Sequence, residues 1–443
     1  MIKTVAATAL IAVVLTSCST SISPTQPSTQ QGLAEKRASV PWWRQLNDSS
    51  LNRDIEAALS ANPSLQGVAL RIQQADAAVA EAKASTLPRL NLGFGYQEGR
   101  TREIDFGPYD LAPWQSSAGL SWEIDITGKL RAAQNAATER KNAAVWDYHS
   151  ARLLLASRIA AVRMNLYRFN AEIANLDEAL LANQRTLKSL QEQSQAGLIA
   201  NSILDKQTAE EERLERTQLD LKRLRDLTIV QLRTLRGGSN PSAISKPTFP
   251  DSPPLANRPF SQLLASHPEI LATESRVRSA FEIERSSRLN LLPSFQVNLL
   301  ASGGQKSLAD RFRIWTAQIG PSLDIPIYDP ARVAALKVNQ AKAKIAAAKY
   351  RETVLKILAE IDTARINFNS RSAQLATAKR ETLALARSRK NAREQFDAGL
   401  TSQIEYLDTE RQWLAAKLSQ AALQQEMLTA QINLIKATGG ARL

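Results

Sequence analysis

One cysteine and two histidines in 443 residues leave little material for enzyme chemistry. Cys18 has no partner for an intrachain disulfide and cannot join a cysteine cluster around a metal. His149 lies inside a long helical pattern, and His267 stands beside Pro268 at a helix start. Neither has a Ser, Cys or metal-ligand partner at useful spacing. Gly93-Phe94-Gly95 falls within an alternating strand pattern with no helix after it, so it is not a phosphate loop. Glu210-Glu211-Glu212 reads as a helix surface. The chain therefore reads as a non-enzyme with no metal and no resident cofactor. Aromatics are also few, at 5%, while Ala, Leu, Gln, Arg and Glu fill the long stretches, which is a composition of long helices rather than of a compact catalytic domain.

The N-terminus lacks an apolar run of the ~20 residues needed to span a bilayer. Lys3 is followed by the short apolar core Ala6 to Leu15 and then Leu15-Thr16-Ser17-Cys18, the layout of a sorting signal. Leu15 to Cys18 resembles the lipobox of bacterial lipoproteins. This implies a signal peptide over 1–17, cleavage before Cys18 and lipid on its thiol; Ser19 rather than Asp at the next position favours delivery to the outer membrane. Residues 18–40 are rich in Ser, Thr, Pro and Gln and are expected to be a tether. The formal charge of +13 raises the question of nucleic acid. From Ala331 to Asp397 there are fifteen Lys or Arg against six Asp or Glu, but they are scattered singly along a helical pattern and form no compact patch. Nucleic-acid binding is not expected.

Residues 237–259 contain Gly237-Gly238 and six prolines, a linker that divides the chain into a first repeat over 41–236 and a second over 260–443. Landmarks recur in one order. Asn62-Pro63 and Leu87-Pro88 match His267-Pro268 and Leu292-Pro293, each 205 positions later. Gly119 matches Gly320 at 201, and Ala196-Gly197-Leu198 matches Ala398-Gly399-Leu400 at 202. This is an internal duplication with a period too long for a solenoid.

In each half a helix near Ser64 to Thr86, or Pro268 to Asn290, stops at Leu-Pro. Period-two alternation follows, as in Leu90, Leu92, Phe94 and Tyr96, and as in Leu120, Trp122, Ile124 and Ile126. Phe295, Val297 and Leu299 alternate likewise, as do Trp315, Ala317, Ile319, Leu323, Ile325 and Ile327. The expectation is a β-hairpin over 89–127 and another over 294–327, with polar loops at Gly99 to Pro113 and Gly303 to Arg313. Long helices follow, near Lys129 to Gln195 and Ala331 to Phe396, each roughly 100 Å long at 1.5 Å per residue. Val162, Leu166, Phe169, Ile173, Leu176, Leu180, Leu187 and Leu190 step by four and three, with Asn183 the polar exception. Leu414, Leu418, Ala421, Leu428, Ile432 and Ile435 do the same around Gln425. These seams predict coiled coils. The chain should turn back at Gly197 and Gly399 into the returning helices Asn201 to Arg236 and Ser402 to Ala437.

Four apolar-faced strands can cross an outer membrane but cannot close a barrel, since the smallest bacterial barrels have about eight strands. Strands must be pooled between copies, and a trimer supplies twelve. A small soluble sheet on the helices is the alternative. Pro41-Trp42-Trp43, Asn62-Pro63-Ser64-Leu65, Trp122-Glu123-Ile124-Asp125 leading to Gly128-Lys129-Leu130-Arg131, Gly320-Pro321-Ser322-Leu323 and Pro326-Ile327-Tyr328-Asp329 carry a further reading. In order and spacing they resemble the TolC-like outer-membrane factors, in the lipoprotein (NodT-type) branch that serves efflux systems of the resistance-nodulation-division type. The resemblance implies a mainly α fold with membrane β: a homotrimer with a twelve-stranded transmembrane β-barrel above an α-barrel of long antiparallel coiled-coil helices. It implies a passive duct for drugs, toxic compounds or metal ions in the outer membrane of a Gram-negative bacterium, lipid-anchored at Cys18. A periplasmic adaptor and an inner-membrane transporter are the implied partners, with docking at the turns Gly197, Leu198, Gly399 and Leu400. Glu405 and Asp408 fall where the family places an acidic periplasmic gate. The chain departs from the TolC pattern at Thr401, Phe396 and Ile203, and carries Asp329-Pro330 where relatives often have two glycines. A duct for type I protein secretion, or a lipid-anchored coiled-coil scaffold without a pore, are the other functional readings.

Overall fold

The computed structural model describes residues 41–96, 100–103, 107–110, 114–244, 248–250, 252, 259–305 and 314–440. The expected signal peptide over 1–17, Cys18 and the expected tether lie outside the described residues. A short 3-10 turn, Trp42–Leu46, precedes α1 (Ser49–Ala61) and α2 (Pro63–Ala84). Strands β1 (Arg89–Tyr96), β2 (Arg100–Glu103), β3 (Gly107–Asp110) and β4 (Trp114–Ile124) lead to α3 (Lys129–Gln195) and α4 (Asn201–Leu235). The second half runs α5 (Phe260–Ser266), α6 (Pro268–Leu289), β5 (Ser294–Gln305), β6 (Ile314–Asp324), α7 (Pro330–Asp397) and α8 (Gln403–Ala437).

The two halves are built by the same local devices. Asn62 caps α2 by accepting from Leu65 N–H at 3.1 Å, and His267 caps α6 by accepting from Glu269 N–H at 3.3 Å. Proline follows each cap at the first helical position, where its missing N–H costs nothing. Behind each cap a left-handed glycine closes the end of a returning helix. Gly237 lies against Ala61 with no room for a side chain, Gly439 lies tightly against His267 and Pro268, and the left-handed φ of both favours glycine.

Strands β1, β4, β5 and β6 form one antiparallel sheet in the order β1-β4-β5-β6. The stretch Gly99 to Pro113, expected as a loop, instead carries the β2–β3 ladder with Arg100 opposite Asp110 and Glu103 opposite Gly107. A polar composition hides strands whose pairing is local. Among the described residues no helix is long and apolar enough to cross a membrane.

Along α3 every seam residue from Val162 to Leu190 is buried, Asn183 included; on α8 the seam is buried except for half-buried Leu418. Asn183 accepts from the Gln207 side-chain amide of α4, which gives the polar seam position a partner. Helices α3 and α4 pair, α7 and α8 pair, and α8 also lies against α3.

Where α1, α3, α4 and α8 converge, the main core gathers Trp42, Leu51, Ile55, Ile159, Leu232, Leu428 and Ile432. Beside this core lies a fully buried ion pair that period and composition do not reveal. Arg163 Nη1 donates to Asp54 Oδ2 at 2.5 Å and to the Ser242 carbonyl at 2.8 Å, and its Nη2 donates to Ser50 Oγ at 2.7 Å. Asp54 Oδ1 accepts from Ser242 N–H at 2.8 Å and lies 2.9 Å from Arg236 Nη1. The pair thus ties α1, α3, the end of α4 and the linker into one unit. Asp48, the cap of α1, accepts from Tyr167 Oη at 2.7 Å. Burial works against its ionisation, but hydrogen bonds from Ser50, Tyr167 and Leu51 N–H, with the nearby Arg163 charge, hold its carboxyl below the usual range. Burial, with the bond to Asp48, pushes the Tyr167 hydroxyl up to about 12.

Replacing one partner strands the other charge in the interior, so Asp54→Ala should cost ~3–5 kcal/mol, whereas an apolar pair at both positions should recover much of it. Urea unfolding followed by Trp fluorescence measures both; a single variant as stable as the parent would refute the role given to this pair.

Candidate functional site: membrane sheet and helical tip

Register decides the chemistry of the sheet's two faces, because directly opposed residues in an antiparallel pair point the same way. Leu90, Leu92, Phe94 and Tyr96 oppose Leu120, Ala118, Ser116 and Trp114. Leu120 and Trp122 oppose Leu299 and Val297, and Leu299 in turn opposes Ile319. One face is therefore a continuous apolar surface. It is also bare: Phe94 is 83% exposed and Ile319 75% exposed. The other face carries Asn91, Gly93, Ser117, Gly119, Ser121, Gln296, Asn298, Thr316, Gln318 and Ser322, polar or without a side chain, with Leu300 its large apolar exception. An apolar band on one side and a polar lining on the other is the pattern of a strand set between lipid and a wet interior.

Aromatic rings mark both ends of the apolar band. Tyr96 and Trp114 meet edge-to-face at 5.0 Å at the end away from the helices, and Trp122 donates its indole N–H to the Thr86 carbonyl at 2.9 Å at the helical end. The junctions below are pinned by carboxylates. Asp125 accepts from the N–H groups of Leu130 and Arg131, and Asp329 caps α7 by accepting from Arg332 N–H at 3.0 Å. Strands β1 and β6 each leave one side without a strand partner among the described residues.

At the far end of the helices the two turns are the same motif. Gly197 N–H donates to Ser194 O at 3.0 Å and Leu198 N–H to Gln193 O at 2.9 Å; Gly399 and Leu400 repeat this on Phe396 and Gln395 at 2.9 and 2.8 Å. Both glycines have left-handed φ, 71° and 72°, so each helix ends in a Schellman motif that only glycine enters without strain. The leucines that follow point outward, Leu198 at 74% and Leu400 at 79% exposure.

Glu405 and Asp408 lie in the first two turns of α8, and both are exposed. Their side-chain hydrogen-bond partners are neutral: Thr401 Oγ1 donates to Glu405 at 2.7 Å, and Gln412 Nε2 donates to Asp408 at 2.7 Å. Thr401, a departure from the family pattern, thus holds Glu405. Phe396, which lacks a hydroxyl, stacks on Tyr406 at 5.4 Å. Tyr406 supplies that hydroxyl, donating to Glu410 at 2.8 Å and accepting from Arg393 at 3.2 Å. Burial and the bond to Glu410 raise its pKa.

One turn further from the tip, the two repeats are braced across a cleft of about 50 Å³. The Arg389 guanidinium lies 3.8 Å over the Trp413 ring and donates to Glu410 at 2.8 Å, and the Lys417 ammonium lies 4.1 Å from the same ring and 3.2 Å from Glu178 of α3. Glu210 of α4 is bound by Arg213 and stands 3.7 Å from Arg411 of α8. The Arg213 hydrogen bond, against burial, lowers the Glu210 pKa. Glu178–Lys417 and Glu210–Arg411 join residues 200 or more positions apart, and sequence spacing carried no sign of them.

Ile319→Arg should block insertion, because a cation on the lipid face near the midplane costs ~2–4 kcal/mol, while Gln318→Arg on the opposite face should be tolerated. Membrane fractionation and heat-stable oligomer on gels compare the two; equal damage from both would overturn the face assignment.

The outer membrane efflux protein family model matches residues 55–238 and 260–440. The pyoverdine export outer membrane protein OpmQ of Pseudomonas putida is 26% identical, over 96% of this chain and 95% of its own length. The cation efflux system protein CusC of Escherichia coli is 24% identical, over 97% of each. The solved structure of the outer membrane protein VceC of Vibrio cholerae superposes with a TM-score of 0.80 at 23% identity, covering 91% of this chain and all of that one, and so shares its fold. With a matched family model across both repeats, an amphipathic membrane sheet and paired long helices below it, the chain belongs to the family of outer membrane efflux proteins.

Proposed function

We propose that three copies of this chain join their sheets edge to edge into a twelve-stranded barrel and act as the passive outer-membrane duct of a tripartite efflux pump. The observation that carries this reading is the four-stranded sheet with one apolar face and two open edges. Unpaired backbone groups at those edges cost several kcal/mol each in hydrocarbon. Eight strands close a barrel filled by its own side chains, whereas twelve leave a passage. The repeats over 41–236 and 260–443 arise from duplication around the linker 237–259, and each contributes one hairpin and one coiled-coil pair.

Energy comes from an inner-membrane transporter of the resistance-nodulation-division type through a periplasmic adaptor. The adaptor docks at the tip, where Gly197 and Gly399 expose Leu198 and Leu400. The cargo is a small molecule: a drug, a toxic compound or a metal ion. The relatives' names include pyoverdine export and cation efflux. Cys18 carries the lipid anchor, and the long polar stretch after it leaves slack between lipid and fold. Glu405 and Asp408, repeated three times around the axis, concentrate negative charge at the periplasmic mouth and attract cations.

The purified protein should give stepwise currents in planar bilayers, and a trimer that passes no ions would sink the duct. Glu405→Ala with Asp408→Ala should raise conductance or weaken block by cations; unchanged currents would reject the gate. Labelling with radioactive palmitate should be lost in Cys18→Ala and retained in the parent, and labelling of both or neither would refute the anchor.

A further inference from the structure

The two repeats cap their sheet-side helices with one backbone conformation and two chemistries. Asn62 before α2 and His267 before α6 have φ of −71° and −73° and ψ of 119° and 121°, and a proline follows each. Asn62 accepts from Leu65 N–H and also donates its side-chain amide to the Leu235 carbonyl at 2.8 Å, which ties the start of α2 to the end of α4. A carboxamide gains and loses no proton between acid and neutral pH, so its cap is indifferent to pH. The duplicate of Asn62 is an imidazole, the one side chain whose ordinary titration falls in that range.

His267 is only 7% exposed, and Gly439, just past the end of α8, lies tightly against its ring. It stands one turn before Ile270, which packs with Ile357 and Ile361 of α7 and Leu434 and Ala437 of α8 in a small core of its own. The ring therefore sits where α6, α7 and the end of α8 meet. Its Nδ1 accepts from Glu269 N–H at 3.3 Å, so the neutral ring carries its proton on Nε2. The charges that act on it are Glu269 of its own helix and Glu360 and Lys356 of α7; α5 before it has none, and the last turn of α8 carries Lys436. Lys356 lies 3.4 Å from Glu269 and 3.7 Å from Glu360, so both carboxylates already have a cation beside them. Burial first, and the Lys356 charge with it, hold the His267 pKa below the usual imidazole range against the pull of the two carboxylates.

A proton on Nδ1 occupies the lone pair that holds Glu269 N–H and leaves that donor without its cap. The same proton sets a cation at the positive end of the α6 dipole, in a joint that Gly439 closes on one side. We propose that His267 is an acid-operated release: when protonated it frees the start of α6 from the end of α8 and loosens the second repeat, while Asn62 keeps the first repeat closed. The direction follows from which state binds the proton. A released His267 takes it up at about pH 6.5 and the seated one only at lower pH, so the joint is at full strength above that value and weakens as pH falls below it.

The test is hydrogen exchange of the full chain in detergent, read by mass spectrometry and corrected for the intrinsic effect of pH, on peptides from the starts of α6 and α2. Between about pH 7.5 and about pH 5, on either side of the imidazole range, protection at the start of α6 in the parent should fall about fivefold relative to the start of α2, the size of a lost cap. His267→Asn, which copies the first repeat, should stay protected at both pH values. His267→Ala should show the lower protection already at neutral pH. A parent whose α6 is indifferent to acid overturns the release, and so does an acid loss of equal size in His267→Asn, which assigns the effect to other groups. A His267→Ala variant as protected as the parent at neutral pH overturns the cap on which the release depends.

Discussion

A strand edge in hydrocarbon cannot stay open, and most of this structure is organised around that constraint. Water would satisfy the free N–H and C=O groups of β1 and β6, but the apolar face shared by Leu92, Leu120, Leu299 and Ile319 belongs in lipid, where water is absent. A single copy therefore folds into an incomplete object. Its helices inherit the same incompleteness, since α2 and α7 stand at the two borders as β1 and β6 do.

Below the sheet the problem changes from pairing to rigidity over distance. Helix α3 has 67 residues and α7 has 68, each about 100 Å long, and isolated helices of that length bend. Their partners restrain them in stages. The caps at Asn62-Pro63 and His267-Pro268 lock the sheet-side helices against the ends of α4 and α8. The Arg163–Asp54 pair then ties α1, α3 and the linker together beside the main core. Nearer the tip polar contacts join the buried seam that runs on through Leu187 and Leu190: Trp413 is held between Arg389 and Lys417, and Glu178 and Glu210 cross between repeats. Ionic braces in a partly wet cleft are weaker and more salt-sensitive than a buried apolar seam.

Much of this was legible from residue order. The seam from Val162 to Leu190 is buried as its period requires, and the glycines at 197 and 399 take the left-handed conformation that a helix end demands. Other features were missed for identifiable reasons. Helix α1 was announced by Asp48 before Leu51, Ile55 and Ala58, a cap and a helical spacing, but it is short beside its neighbours. The β2–β3 ladder lies in a stretch whose polarity reads as loop. Tyr406 takes over the hydroxyl that Phe396 lacks from ten residues along the chain and one helix away, which no local motif encodes.

The sequence by itself determined the duplication, the strand and helix periods, the turn positions and the sidedness of the sheet, because each depends on neighbours a few residues apart or on repetition. Tertiary structure decided which seam meets which helix, that Arg163 and Asp54 are buried together, and that Glu405 and Asp408 have neutral partners. The physical reason is that periodicity states only that a face must be covered. What covers it depends on distance in space, and for the open edges of β1 and β6 on atoms outside the single chain. The four-stranded sheet that sequence patterning announced becomes, in three dimensions, a surface with two borders still to be filled.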